Sequence, residues 1–148
     1  MHQLKFSERN AILATIDPVS QAAGTVTSGW MSMAEFHSMA AILQTGALGA
    51  SATVDAKLQQ ATDSSGTGAK DITGKAITQL VKASHDNKQA IIQCHAEELD
   101  VANSFTHVRL SVTVATAASL ISAVLLGTNP RYSPASDQDD TDVTQIVG

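Results

Sequence analysis

The residues of this chain best suited to chemistry are His95 and Glu97, with Gln93 two positions before them. On a strand, residues two apart share a face, so an imidazole and a carboxylate here could hold a metal or move a proton. The local sequence offers no third convergent ligand, and a solvated strand face accounts for the same residues. His37, His85 and His107 are scattered, and none sits in a nucleophile or metal motif. Carboxylate pairs can be drawn from Asp55, Asp71, Glu97 and Asp100, but Glu97, Glu98 and Asp100 crowd a strand end as a loop edge would. The single cysteine, Cys94, follows Ile91-Ile92-Gln93, a setting for a buried, inert thiol. It excludes an internal disulfide. Gly66-Thr67-Gly68 lacks the third glycine and the strand-to-helix setting of a dinucleotide loop. Asp137, Asp139, Asp140 and Asp142 lack the glycine and terminal glutamate of a helix-flanked calcium loop. No enzyme, cofactor or metal site is therefore expected.

The elements that would position such residues look like strands. The chain has 148 residues, enough for one domain with its own core. Apolar residues make up 43% but aromatics only 3%, so the core must be built from Ala, Val, Ile and Leu and is modest. Charged residues are 16%, while there are 15 Ser and 15 Thr, a composition that suits strands and polar turns better than a bundle with charged faces. Net charge is -5, with 9 basic against 14 acidic residues, which argues against a phosphate-binding footprint and so against nucleic-acid binding. Val112 to Gly127 is too short and too polar for a membrane-spanning helix, and residues 1–10 lack a secretory pattern.

Along the chain, residues 1–23 read as an N-terminal arm, either reaching a neighbour or forming an edge strand. A β domain spans 24–134, and 135–148 is an acidic C-terminal tail that either docks through Val143, Ile146 and Val147 or stays loose. Thr53 to Gln59 alternates, with Val54, Ala56 and Leu58 facing one way. Val108, Leu110 and Val112 do the same opposite His107, Arg109 and Ser111. Glu35 to Thr45 has some helical spacing, but Gly46-Ala47-Leu48-Gly49 and the strand after it favour a hairpin. Ile77 to Val81 reads as a short strand, and Ala118 to Leu126 as a hairpin partner for the strand before it. Ala61 to Gly74 is a polar loop, either a contact feature or a plain hairpin. The expected fold is all-β, an antiparallel β-sandwich or jelly-roll-like barrel. Trp30, Phe105, Arg131 and Tyr132 are the candidate protein-interface anchors by residue type. Trp30 also suits the core, and Tyr132 could close one end of it.

Four segments carry a resemblance: Gly46 to Ala61, Lys70 to Leu80, Glu97 to Val101, and Gly127 to Tyr132. They resemble a family of small virion structural proteins of tailed bacteriophages and prophages, over roughly Trp30 to Pro134. The resemblance implies a head decoration (cement) protein on the exterior of the virion head, made in the host cytoplasm. Its partner would be the major capsid protein, with self-association as a trimer, and a head–tail connector or tail ring protein is the alternative role.

Overall fold

Alternation sets the sheet faces. The computed structural model describes residues 3–148. In β5 (Thr53–Ala61), Val54, Ala56 and Leu58 are buried and the residues between them are half-buried. In β9 (His107–Ala115) Val108, Leu110, Val112 and Val114 point inward, and of the residues between them Ser111 is also buried. Around these run β1 (Asn10–Gln21), β2 (Gly24–Thr27), the two-residue β3 (Met31–Ser32), β4 (Phe36–Thr45) and β6 (Lys70–Ala76). The two-residue β7 (Leu80–Val81), β8 (Gln89–His95) and β10 (Ser119–Pro130) complete the set. Of Glu35 to Thr45, all but Glu35 is strand, as β4. Of Ile77 to Val81, only Leu80–Val81 pairs as a strand.

One sheet has the order β1-β10-β4-β8 and the other β2-β9-β5-β6, with β3 beside β9 and β7 beside β5. Every pairing is antiparallel. The pairs β1 with β10, β2 with β9, β4 with β8 and β5 with β6 nest inside one another along the chain. That nesting in a two-sheet sandwich is a jelly roll. The core lies between the sheets, with Leu58, Val54, Leu110 and Val112 of one packed in a single cluster with Met39, Leu43, Ile121 and Leu125 of the other. Burying each such Leu or Val contributes roughly 1.5–3 kcal/mol.

Two expected hairpins are instead crossings between the sheets. β4 and β5 lie in different sheets, as do β9 and β10. Alternation tells which side chains face inward, and strands that pair or that face each other across a core satisfy it equally. The two crossings meet: the Gly46 N–H donates to the Leu120 carbonyl at 2.8 Å and the Leu120 N–H donates to the Ala47 carbonyl at 3.1 Å. Gly49 allows this approach, since a Cβ there would lie 2.5 Å from the Ala118 carbonyl oxygen.

The N-terminal segment contributes to the sandwich itself, because Asn10–Gln21 is the edge strand beside β10. The acidic tail folds back onto it. A 3-10 turn at Ala135–Gln138 puts Ala135 into a small second cluster with Ala11 and Phe36, against Leu13. The free backbone of Ile12 is then satisfied, its N–H donating to Asp139 Oδ1 at 2.8 Å and its carbonyl accepting from the Asp140 N–H at 2.7 Å. Of the three tail aliphatics, Ile146 and Val147 are exposed and Val143 is half-buried.

Candidate protein-binding face

β10, β4 and β8 carry apolar residues outward as well as inward at their centres. Ile121, Ala123 and Leu125 of β10 enter the core, yet Leu120, Val124 and Leu126 between them are also apolar and point outward. Cross-strand register assembles a patch from these residues. Ile91 of β8 pairs with Ile42 of β4, Ile42 with Val124 of β10, and Val124 with Thr15 of β1. In the next row Gln93, Ala40, Leu126 and Ile12 stand side by side. The rows on either side are Gln89, Gln44 and Ser122, and His95, Ser38, Thr128 and Asn10. Ser38 and Thr128 hydroxyls share a hydrogen bond of 2.6 Å. β10, β4 and β8 contribute no Lys, Arg, Asp or Glu to these rows; the charge on this face is the exposed Asp17 of β1, in the register break beside Ser122, which accepts a hydrogen bond from the Thr15 hydroxyl at 3.1 Å. Ile91 is 65% exposed and Leu120 47%. An antiparallel sheet facing water usually alternates apolar-in and polar-out; this one is depleted of charge as interface cores are.

The outer face of the second sheet is the opposite kind of surface. Lys57 Nζ meets Asp71 Oδ2 at 2.7 Å, and Gln59 Nε2 donates to Asp71 Oδ1 at 2.9 Å. Arg109 Nε donates to Gln59 Oε1 at 3.0 Å, and Gln79 Nε2 donates to Asp55 Oδ2 at 2.8 Å. The Lys57 ammonium holds the Asp71 carboxyl below the usual carboxylate range, with Gln59 adding to it. These groups satisfy each other at a surface built for water.

The structure separates the four expected anchors into two places. Trp30 is half-buried, with the Arg109 guanidinium 4.4 Å from its ring centroid. Phe105 is half-buried under Lys70, whose Nζ lies 4.2 Å from the ring centroid. Both rings clamp the loop between β5 and β6, which is shorter than expected because Lys70–Ala76 is strand. A Cβ on Gly66 would meet Trp30 Nε1 at 2.6 Å, and one on Gly68 would meet the Phe105 ring at 3.6 Å. Arg131 and Tyr132 lie beyond β10, where the Arg131 N–H donates to the Glu35 carbonyl at 2.8 Å and Tyr132 is 76% exposed.

His95 and Glu97 do share a cleft, with His37 and Arg131 on its wall. Glu97 is not on the strand, for β8 ends at His95 and Ala96–Glu98 is a 3-10 turn. Among the described residues no three His, Cys, Asp or Glu side chains are placed to hold a metal ion. Cys94 faces the core, and burial, with the Glu98 charge beside it, pushes its thiol up to about 11.

No family model matches the chain, and no curated protein sequence does. Solved structures that superpose on it include the Cowpea mosaic virus top component, a naturally occurring empty particle, at 9% identity and a TM-score of 0.43 over 90% of this chain and 96% of that one. Triatoma virus matches at 9% identity and 0.47 over 91% and 70%. A structure described as "CBM4 structure and function" matches at 14% identity and 0.42 over 71% and 61%. Likeness at this level assigns neither family nor function.

The apolar patch is the feature that inspection of single residue types misses. Its signal lies in consecutive apolar runs, Ala40-Ala41-Ile42-Leu43, Ala90-Ile91-Ile92 and Ala123-Val124-Leu125-Leu126. Such runs mark strands apolar on both sides.

Proposed function

We propose that this chain is a structural protein of a bacteriophage particle, a head decoration or cement protein that lies on the outer surface of the shell and binds the major capsid protein. The observation that carries the reading is the contrast between the two sheets. Across β10, β4 and β8 the outer face of one sheet presents an apolar centre, Ile91, Ile42, Val124, Ala40 and Leu126, ringed by uncharged polar side chains, with Asp17 of β1 at its margin, while the other face presents paired charges. The first suits burial against protein, and the second suits water. The segmental resemblance to small virion proteins supports the setting.

Magnitudes fit a protein that works in many copies. Four strands at about 4.8 Å spacing and about seven residues at roughly 3.4 Å each give a face of roughly 450 Å² in projection. A standard interface buries about 800 Å² on each partner. The face supplies about half of one, and the rim must add the rest. Contacts of this size are weak singly and strong when repeated over a closed lattice.

The test is rebinding. Shells lacking this protein, mixed with the purified chain and sedimented, carry it down to a saturating number fixed by the count of capsid subunits. Ile42→Glu, at the centre of the face, removes that binding while the protein stays folded. Binding unaffected by Ile42→Glu sinks the assignment of this face.

A further inference from the structure

Six strands stand at the margins of the two sheets: β1 and β8 in one, and β2, β3, β6 and β7 in the other. Free sheet margins invite pairing with another chain, and proteins guard them with charge, proline, bulges, brevity or a covering segment. Five of the six are guarded. β1 has Pro18 and two breaks in register, and the tail covers it at Ile12. β2 has four residues, and β3 and β7 have two each. β6 carries Lys70, Asp71, Lys75 and a left-handed Gly74.

β8 has no such device. Its sequence, Gln-Ala-Ile-Ile-Gln-Cys-His, holds no charge, proline or glycine, and its register with β4 is unbroken from Gln89 to His95. One bond fixes which backbone groups are free. The His95 N–H donates to Glu98 Oε2 at 2.7 Å, away from β4. In an antiparallel strand the N–H and C=O of alternate residues point to the same side. Gln89, Ile91 and Gln93 therefore direct theirs outward too, and among the described residues no group bonds to them. The Lys75–Glu98 ion pair occupies the His95 end, so the free window closes at Gln93.

We propose that β8 pairs antiparallel with β8 of a second copy of this chain, about a two-fold axis at Ile91. The occupant follows from the pattern, because Gln89-x-Ile91-x-Gln93 is unchanged when its order is reversed. Ile91 meets its own copy, Gln89 meets Gln93 of the partner subunit, and the outward groups close about six backbone hydrogen bonds. A contact between like copies of a chain with net charge -5 has to avoid like charges, and this edge has none. The pairing gives the 65% exposed Ile91 a second cross-strand partner beside Ile42 and joins two four-stranded sheets into one. It uses the backbone edge of the sheet, while the Ile91 side chain also belongs to the proposed face, so the test reads self-association and not shell binding. It is also a two-fold contact, distinct from the three-fold association that the resemblance implies.

The test is the mass of the full chain by sedimentation equilibrium over a wide concentration range. The wild type is expected to dimerise, and Ile91→Lys to weaken the dimer about tenfold or more by setting two ammonium groups on the axis. Circular dichroism reports whether that variant folds, and Ile91→Cys supplies a second readout. Under oxidation it is expected to form an interchain disulfide on the axis, since buried Cys94 does not compete. A monomer at every concentration, a trimer, or a dimer that Ile91→Lys leaves intact and Ile91→Cys does not cross-link overturns the proposal.

Discussion

Ile42 of β4 and Ile91 of β8 are cross-strand partners on the outer face of one sheet, while their chain neighbours Leu43 and Ile92 are buried in the core on the other side. The centre of the sheet is apolar on both sides where it could have been polar on one. The reading of this molecule as a protein-binding module rests on that relationship.

Replacing Ile42 by Glu should separate binding from stability. The side chain is half-buried on the outer face, so the loss in stability is at most about 1 kcal/mol, the span of strand propensities. Chemical denaturation should show that small loss, alongside absence of the variant from sedimented shells.

The loop clamped by Trp30 predicts a difference between two left-handed glycines. At Gly74, φ is +78° and nothing lies within 4 Å of the position a Cβ would take, so Gly74→Ala costs only the backbone strain, about 1 kcal/mol. At Gly66, φ is +85° and the new methyl also strikes Trp30, so Gly66→Ala should cost about 1–3 kcal/mol more. Equal denaturation midpoints for the two variants would show that Trp30 does not hold the loop.

Ala135 is fully buried beside Phe36 and Ala11, and it fastens the tail to β1. Ala135→Asp would bury a carboxylate there, so the tail should release. Limited proteolysis should then remove residues after Pro134 from the variant much faster than from the wild type, with the sandwich left whole.

Acid should weaken the fold through four exposed ion pairs. Lysines 57, 82, 75 and 70 hold Asp71, Asp86, Glu98 and Asp100 below their ordinary values. A carboxyl with a lowered folded pKa contributes stability above its unfolded value, which is lost as pH falls through the folded one. The melting temperature should therefore hold from neutrality to about pH 4.5 and decline below it. The decline should be modest, because exposed pairs contribute little each.

The faces of single strands were legible in the sequence and their partners were not. Val54, Ala56 and Leu58 read correctly as one inward row because a period of two leaves no other choice. The same pattern could not show that β9 and β10 belong to different sheets, since the Thr116–Ala118 turn and a hairpin turn look alike in residue type. Large and charged side chains drew attention to Trp30 and Phe105, which the structure employs to hold a loop. The apolar patch was written in ordinary Ala, Ile, Val and Leu, which become a site only when register sets Ile91, Ile42 and Val124 in one row.

The most direct measurement is the number of copies of this chain in purified virions, by quantitative mass spectrometry against the major capsid protein. A decoration protein is present in a fixed ratio to capsid subunits, in hundreds of copies on the order of the shell lattice. Absence from the particle contradicts the account, and a single ring's complement would move the protein from the shell to the neck.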